Sequence, residues 1–155
     1  QNKQVSFLTN GTIMNEKWAE KIAQHSRAIS VSLNAATKET HEKVNIGSSW
    51  KTVLENIQLL QKAKEKINSK MEIAGHITII TANLREIPLF IDKYKEFGFD
   101  RIKFGFDLRI PIYLKFHPII KKRLAEKITA SLKLQRNNKA INVERLKYLR
   151  LVDDL

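Results

Sequence analysis

The 155-residue sequence contains no cysteine. This absence excludes disulfide bonds and any metal centre whose thiolate ligands come from this chain. The four histidines lack metal-site spacing; they are His25, His41, His76 and His117. No apolar run approaches the roughly 20 residues that a membrane span needs. Because no signal-peptide pattern follows the first residue, Gln1, we expect a cytoplasmic protein without a membrane partner.

The chain is strongly basic, with a formal net charge of +12 at pH 7. Residues 115–150 contain eleven Lys or Arg against two carboxylates, Glu126 and Glu144. Such a segment is typical either of a solvated helix face or of a surface for nucleic acid or an acidic partner. Its aromatic side chains are Phe116 and Tyr148, so contacts to nucleic acid would be mainly to phosphate and sensitive to salt.

The apolar pattern switches repeatedly between the periods of strands and helices. Strands are predicted at residues 5–9, 29–34, 71–80 and 101–106, which predicts an α/β fold with a parallel sheet. Two helices are predicted after N-caps at Asn15 and Thr37, and three more over residues 50–67, from about Ile87 and from Pro118. Residues 83–86, just before Ile87, have the spacing of a capping box. Residues 109–113 are predicted to be an irregular connection, and residues 142–151 either a short basic helix or an extended tail.

One face of the predicted sheet is polar. Ile29, Val31 and Leu33 alternate with Ser30, Ser32 and Asn34, so hydroxyls and an amide share a face opposite the apolar one. The same alternation adds polar residues from the other strands, namely Ser6, Asn10, His76, Thr78, Lys103 and Asp107. A polar face is costly to bury unless it is hydrogen-bonded or wet. It therefore indicates either an open cavity for a polar ligand or an exposed sheet face left by truncation.

Five segments together carry a resemblance to a known family. They are residues 9–12 (TNGT), 30–37 (SVSLNAAT), 39–44 (ETHEKV), 79–84 (IITANL) and 101–106 (RIKFGF). Over about residues 5–107 the chain resembles the radical S-adenosylmethionine enzyme superfamily, in the branch of molybdenum-cofactor biosynthesis cyclases and peptide-modifying maturases. The resemblance implies a partial (β/α) barrel of about four parallel strands with outer helices, truncated at its N-terminus. It would occupy residues 1–112, with a basic helical extension at 113–155.

The resemblance also implies two cofactors, S-adenosylmethionine and a [4Fe–4S] cluster, which together generate a 5′-deoxyadenosyl radical. Thr9 and Asn10 would lie near the nucleoside. Ser32 and Ser30 would contact its methionine or ribose, with Asn34 beside them, and Asn83 and Phe106 would edge the adenine. Asn45 stands where many relatives have Arg. Beyond the fourth strand, Arg109 is either a contact for an anionic substrate or a surface residue.

The cluster-binding cysteines of the family, C-x₃-C-x₂-C, are absent from this sequence. We therefore expect the chain to be part of a longer enzyme, with those cysteines upstream of Gln1. Alone it should retain neither cofactor and be inactive, so no catalytic or metal-binding residue is assigned to it. The expected partners are an unknown small-molecule or peptide substrate, the missing N-terminal part, and a second copy at the exposed edge of residues 5–9. The alternative is a basic module that docks on nucleic acid or an acidic partner.

Overall fold

The structure is a computed structural model, and it describes residues 5–135 and 138–153. The strands are β1 (Val5–Thr9), β2 (Ser26–Ser32), β3 (Glu72–Ile79), β4 (Arg101–Phe106) and β5 (Ile141–Asn142). The helices are α1 (Glu16–His25), α2 (Lys38–Val44), α3 (Trp50–Lys66), α4 (Ile87–Lys93), α5 (Arg109–Phe116), α6 (Pro118–Leu134) and α7 (Glu144–Tyr148). Short 3₁₀ turns lie at Leu84–Glu86 and Asn138–Ala140.

The strands form one open parallel sheet in the order β1-β2-β3-β4-β5. Crossovers between parallel strands are right-handed, so this order places the connecting helices on one face. The arrangement confirms the predicted α/β fold and is consistent with a partial barrel. It adds a fifth strand, in which Ile141 and Asn142 pair with Ile102 and Lys103.

The helix-covered face holds the apolar core. Ile29, Val31 and Leu33 of β2 and its extension are fully buried there, as the alternation predicts. Residues on both sides of the predicted boundary near 112 join the same apolar cluster, because Leu124, Ile128, Ile141 and Leu146 pack into it. Burial of such side chains stabilises a fold by about 1.5–3 kcal/mol each.

Predicted helix caps are confirmed at two positions. The Asn15 side chain accepts a hydrogen bond from the backbone N–H of Trp18 at 2.9 Å, and that of Thr37 accepts one from Thr40 at 3.4 Å. The capping box at Asn83 was wrong, because the Asn83 side chain does not cap the 3₁₀ turn that follows. The regular helix begins at Ile87, as predicted.

Two further local predictions change in the structure. Residues 109–113 are not irregular but form most of α5. Pro111 is the third residue of this helix, where the missing backbone N–H removes no intrahelical hydrogen bond. Residues 142–151 contain the end of β5 and the short helix α7. Within the described residues, no helix combines the length and apolarity needed to cross a membrane.

Candidate functional site

A row of polar side chains lies on the sheet face opposite the helices, near the carboxyl ends of the strands. Paired residues of neighbouring parallel strands share a face, and Ser32 pairs with His76, which pairs with Lys103. Ser30 and Thr78 belong to the same row by alternation. We call these five residues the polar face. In open and barrel α/β folds, ligands bind at this end of the sheet.

The hydroxyls of Ser30 and Ser32 are available to a ligand. Ser30 is buried and Ser32 half-buried, yet within residues 5–135 and 138–153 neither hydroxyl hydrogen-bonds to another residue. Both hydroxyl oxygens reach solvent, where a polar group of a ligand can replace the water that satisfies them. Both serines therefore fit a polar ligand such as a ribose or an amino-acid group.

His76 is a second group on the polar face whose hydrogen-bonding capacity is unused. Its Nδ1 atom is buried and has no partner in the part of the chain that the structure describes. Burial, reinforced by the charge of Lys103, lowers the pKa of His76, so the imidazole is neutral at pH 7. Gly105 keeps the space beside the ring open, since a Cβ there would lie 3.2 Å from Nε2. Sequence alternation identified this face but not the unpaired nitrogen.

Asn34 and Asn83 join the carboxyl ends of β2 and β3. Asn83 is fully buried, and its Nδ2 donates to the carbonyls of Asn34 and Thr78 at 2.8 and 2.9 Å. Its Oδ1 accepts from the N–H of Ile80 at 2.8 Å. Asn34, with φ of 57°, accepts from the N–H of Thr78 at 2.9 Å through its own Oδ1. These amides hold the backbone beside the polar face, and both Nδ2 hydrogens of Asn83 are already in use.

Asn45 belongs to this buried scaffold as well. Its Oδ1 accepts from Asn34 Nδ2 at 2.9 Å, and its Nδ2 donates to the carbonyl of Leu33 at 3.0 Å. His41, fully buried, contacts the same carbonyl through Nδ1 at 2.7 Å and Ser48 through Nε2 at 2.9 Å. Asn45 thus orients Asn34.

Glu86 fixes the segment that follows β2, a role that the sequence did not reveal. One carboxylate oxygen accepts from the N–H of Ala36 at 2.7 Å. The other accepts from the hydroxyls of Thr37 and Thr40 at 2.6 and 2.5 Å. In the sequence, Glu86 stands out only by its spacing from Asn83, and that spacing predicted a helix cap rather than contacts with residues 36–40. Hydrogen bonds to a charged acceptor are among the stronger ones in proteins.

Thr9 and Asn10 end β1 at the same edge of the sheet but do not join the polar face. Thr9 pairs with Val31 on the helix-covered side, and its hydroxyl accepts from the N–H of Gly11 at 3.1 Å. Asn10 is exposed, and its Oδ1 accepts from the N–H and the hydroxyl of Thr12 at 3.1 and 2.8 Å. Gly11 is required there, because its φ is +71° and a Cβ would lie 2.9 Å from Val31.

Phe106 also lies on the helix-covered side of the sheet. Its ring stacks on Tyr148 with centroids 5.4 Å apart, and the guanidinium of Arg145 lies 5.9 Å from its centroid. The structure therefore brings Ser30, Ser32 and the Asn34–Asn83 pair together, while Phe106 packs against α7.

A cavity of about 240 Å³ opens at the carboxyl ends of β3 and β4. Its lining residues are Ile80, Thr81, Asp107, Arg109, Ile110 and Tyr113. Arg109 donates to both carboxylate oxygens of Asp107 at 2.8 and 3.0 Å. These hydrogen bonds lower the pKa of Asp107 to about 2. The cavity thus has apolar walls and an ion pair at its rim.

The residues present do not fit an iron–sulfur cluster. The chain has no thiol, and the described residues contain no group of three or more His, Asp or Glu side chains placed to hold a metal ion. Among the described residues, two hydroxyls and one imidazole nitrogen of the polar face have no protein partner, and they fit the polar groups of an organic ligand instead.

Comparison with known proteins assigns the family. The radical SAM superfamily matches residues 1–78, a stretch that includes Ser30, Ser32 and Asn34. A cysteine-type anaerobic sulfatase-maturating enzyme of Clostridium novyi (strain NT) is 30% identical over 110 residues, which are 68% of this chain. The chain spans about a quarter of that relative, since the matched part is 26% of its length. The protein described here is therefore a member of the radical SAM superfamily.

Proposed function

We propose that the polar face binds S-adenosylmethionine within a longer radical SAM enzyme. The observation that carries this proposal is a set of three polar atoms near the carboxyl end of the sheet that have no partner among the described residues: the hydroxyls of Ser30 and Ser32 and Nδ1 of His76. Family membership supports this class of ligand, and the unpartnered polar atoms support the choice of these residues.

In this proposal the two serines bind the ribose or the amino-acid group. A hydroxyl both donates and accepts, so it matches the hydroxyls of a ribose and the ends of a zwitterion. Asn34 and Asn83 act as positioning residues, because their hydrogen bonds hold the backbone of β2 and β3 in place. We assign the adenine to the cavity beside Ile80, whose apolar walls suit a flat ring.

The cluster would be held by cysteines outside this sequence. The absence of thiols and the greater length of the relative support this part of the proposal. In the intact enzyme, the cluster and S-adenosylmethionine would supply a 5′-deoxyadenosyl radical to the substrate. The 155-residue chain alone is then expected to be inactive, and its task is to bind and orient the nucleoside.

Titration of the ¹⁵N-labelled chain with S-adenosylmethionine tests this binding. We expect weak, saturable shifts at residues of β2 and β3, because one part of a site binds less tightly than the whole. Loss of one hydrogen bond costs about 0.5–1.5 kcal/mol, so Ser32→Ala should raise Kd by about 2- to 12-fold.

The matched control is Thr52→Ala, which removes an exposed hydroxyl of α3 on the opposite side of the sheet. It should leave Kd unchanged. Equal affinity of the Ser32→Ala and wild-type chains, or shifts confined to residues remote from β2 and β3, would contradict the proposal.

The alternative of a nucleic-acid-binding module is supported by the charge of residues 115–150 and by the exposure of their two aromatic side chains, Phe116 and Tyr148. Tyr148 already stacks on Phe106, which leaves Phe116 to stack on a base. We favour the nucleoside site because the family match covers Ser30, Ser32 and His76.

A further inference from the structure

A small hollow lies on the polar face beside Gly105 of β4. A Cβ atom added to this glycine would lie 3.2 Å from Nε2 of His76 and 3.9 Å from Oγ1 of Thr78. Because no side chain fills the hollow, a ligand group can approach the backbone of β4 there. Lys103 flanks it, since this residue pairs with His76 and lies two residues before Gly105 on the same face of the strand. We call this feature the Gly105 hollow.

The polar groups around the Gly105 hollow can donate hydrogen bonds. The imidazole of His76 is neutral at pH 7, so one of its two nitrogens carries a proton. Nδ1 is buried without an acceptor among the described residues, whereas Nε2 reaches solvent, which favours the proton on Nε2. The hydroxyl of Thr78 has no hydrogen-bond partner in the described part of the chain, and the ammonium group of Lys103 only donates. The hollow therefore suits an acceptor group of a ligand.

Charges of both signs lie on this side of β3 and β4, but those at the two ends are paired. Glu72 and Arg101, near the amino ends of the strands, form an ion pair at 3.1 Å. Asp107 and Arg109, at the carboxyl end of β4, form another at 2.8 Å. Lys103 lies between these pairs, is exposed, and forms no ion pair with another described residue. Within the described residues, the hollow is thus left with one uncompensated positive charge.

This charge and these donors match a carboxylate. A carboxylate carries one negative charge, and its two oxygens together accept several hydrogen bonds. Lys103 can balance the charge, while His76 and Thr78 donate to the oxygens. Hydrogen bonds assisted by charge in this way are stronger than those between neutral groups. A phosphate ester carries a larger negative charge at pH 7, so a hollow with one uncompensated cation fits it less well.

The hollow lies apart from the serines that we propose to bind the nucleoside. Ser32 and Lys103 belong to one row of residues, but their strands, β2 and β4, are separated by β3. Neighbouring strands are about 4.8 Å apart, so the two residues are about 10 Å apart across the sheet. A second ligand can therefore occupy the hollow while the serines hold the first. Both ligands would lie on the same face, as a cofactor and its substrate must.

We propose that the Gly105 hollow binds a carboxylate of the substrate of the intact enzyme, and that Lys103, His76 and Thr78 are the residues that hold it. That the carboxylate belongs to the substrate rests on the proposed function, whereas carboxylate binding by the hollow does not. The substrate is then an organic acid, in the sense of a molecule with a free carboxylate. Lys103 selects it by charge, and Gly105 leaves it the necessary space.

The test is an NMR titration of the whole 155-residue chain, labelled with ¹³C and ¹⁵N, in a buffer without carboxylates. The probe is N-acetylglycine, and its neutral counterpart is N-acetylglycinamide. N-acetylglycine should shift the ring signals of His76 saturably, whereas the amide should shift them little. Lys103→Met should raise Kd about 2- to 5-fold, as the loss of an exposed ion pair does. Gly105→Ala should also raise Kd, because the added Cβ fills the hollow without changing any charge.

The matched control is Lys17→Met, which removes an exposed lysine of α1 on the helix-covered side of the sheet. This variant should bind N-acetylglycine as the wild type does. The proposal is overturned if the Lys103→Met and wild-type chains bind the probe equally, or if the amide binds as tightly as the acid. It is also overturned if inorganic phosphate binds more tightly than N-acetylglycine, since the class of ligand would then be wrong.

A parallel titration with S-adenosylmethionine distinguishes the two possible sources of a carboxylate. Lys103→Met should leave the Kd for S-adenosylmethionine unchanged, because charges about 10 Å apart in solvent are largely screened at physiological salt. If the substitution raises this Kd as much as Ser32→Ala does, the hollow binds the amino-acid group of the nucleoside, and the assignment to the substrate is overturned. N-acetylglycine is titrated without nucleoside, so a failure of nucleoside binding leaves that result unaffected.

Discussion

Substitution of Asn83 tests how much its buried side-chain hydrogen bonds at the carboxyl end of the sheet contribute to stability. Asn83→Asp keeps the size of the side chain but replaces Nδ2, which donates to the carbonyls of Asn34 and Thr78, by an oxygen. Two buried acceptors lose their donor, at about 1–3 kcal/mol each. We therefore expect the free energy of unfolding to fall by about 2–6 kcal/mol, a large share of the 5–15 kcal/mol typical of domains.

The effect should depend on pH in a defined direction. The introduced carboxyl is fully buried against carbonyl oxygens, so its pKa in the folded state is raised above the ordinary value of about 3.9. When protonated, it again donates one hydrogen bond. Relative to the wild type, the loss of stability should therefore be smallest below about pH 4 and grow as the pH rises towards 7.

Urea unfolding followed by the fluorescence of Trp18 and Trp50 measures the change. The urea midpoint at pH 7 should fall by about 1–3 M for a slope of about 2 kcal/mol per M. Asn15→Asp is the matched control, because a carboxylate caps α1 as well as the amide does and should change stability by less than about 0.5 kcal/mol. An Asn83→Asp chain as stable as this control at pH 7 would refute the reasoning.

Two further predictions concern His76 and the first strand. Because the pKa of His76 is lowered in the folded state, the unfolded chain binds a proton more readily than the folded chain does. The free energy of unfolding should therefore fall as the pH drops below about 6.5. His76→Gln should flatten this dependence in thermal unfolding, whereas the exposed His25→Gln should not; equal slopes would count against the assignment. Strand β1 is exposed and pairs on one side with β2, so we expect dimers through this edge in light scattering. Leu8→Lys should convert them to monomers while Ile46→Lys should not, and a monomeric wild type would rule the edge contact out.

The strands could be predicted because their signals are local. Alternation along β1 and β4 predicts both bounds as the structure has them. Strand β2 begins earlier than expected, at Ser26, since its first residues pair with neighbours without showing an apolar pattern. Strand β5 offered a single apolar residue, Ile141, and is defined by its pairing with β4.

The polar face was predictable for the same reason, but the roles of individual residues were not. Ser30, Ser32 and His76 share a face because alternation and parallel register place them there. Asn83 contacts Asn34, 49 residues away, and Phe106 stacks on Tyr148. Such pairings depend on how distant segments pack, and no spacing in the sequence encodes them.

The strand order has a consequence for how the protein folds. Each strand pairs with the one that precedes it along the chain, from β1 to β5. The paired residues are separated by 21 positions between Val5 and Ser26 and by 44 between Ala28 and Glu72, so each β–α–β unit must lose loop entropy before its strands pair, and it pairs more slowly than a hairpin would. During synthesis, each new strand would meet a partner already in place, so the sheet can grow in the direction of translation.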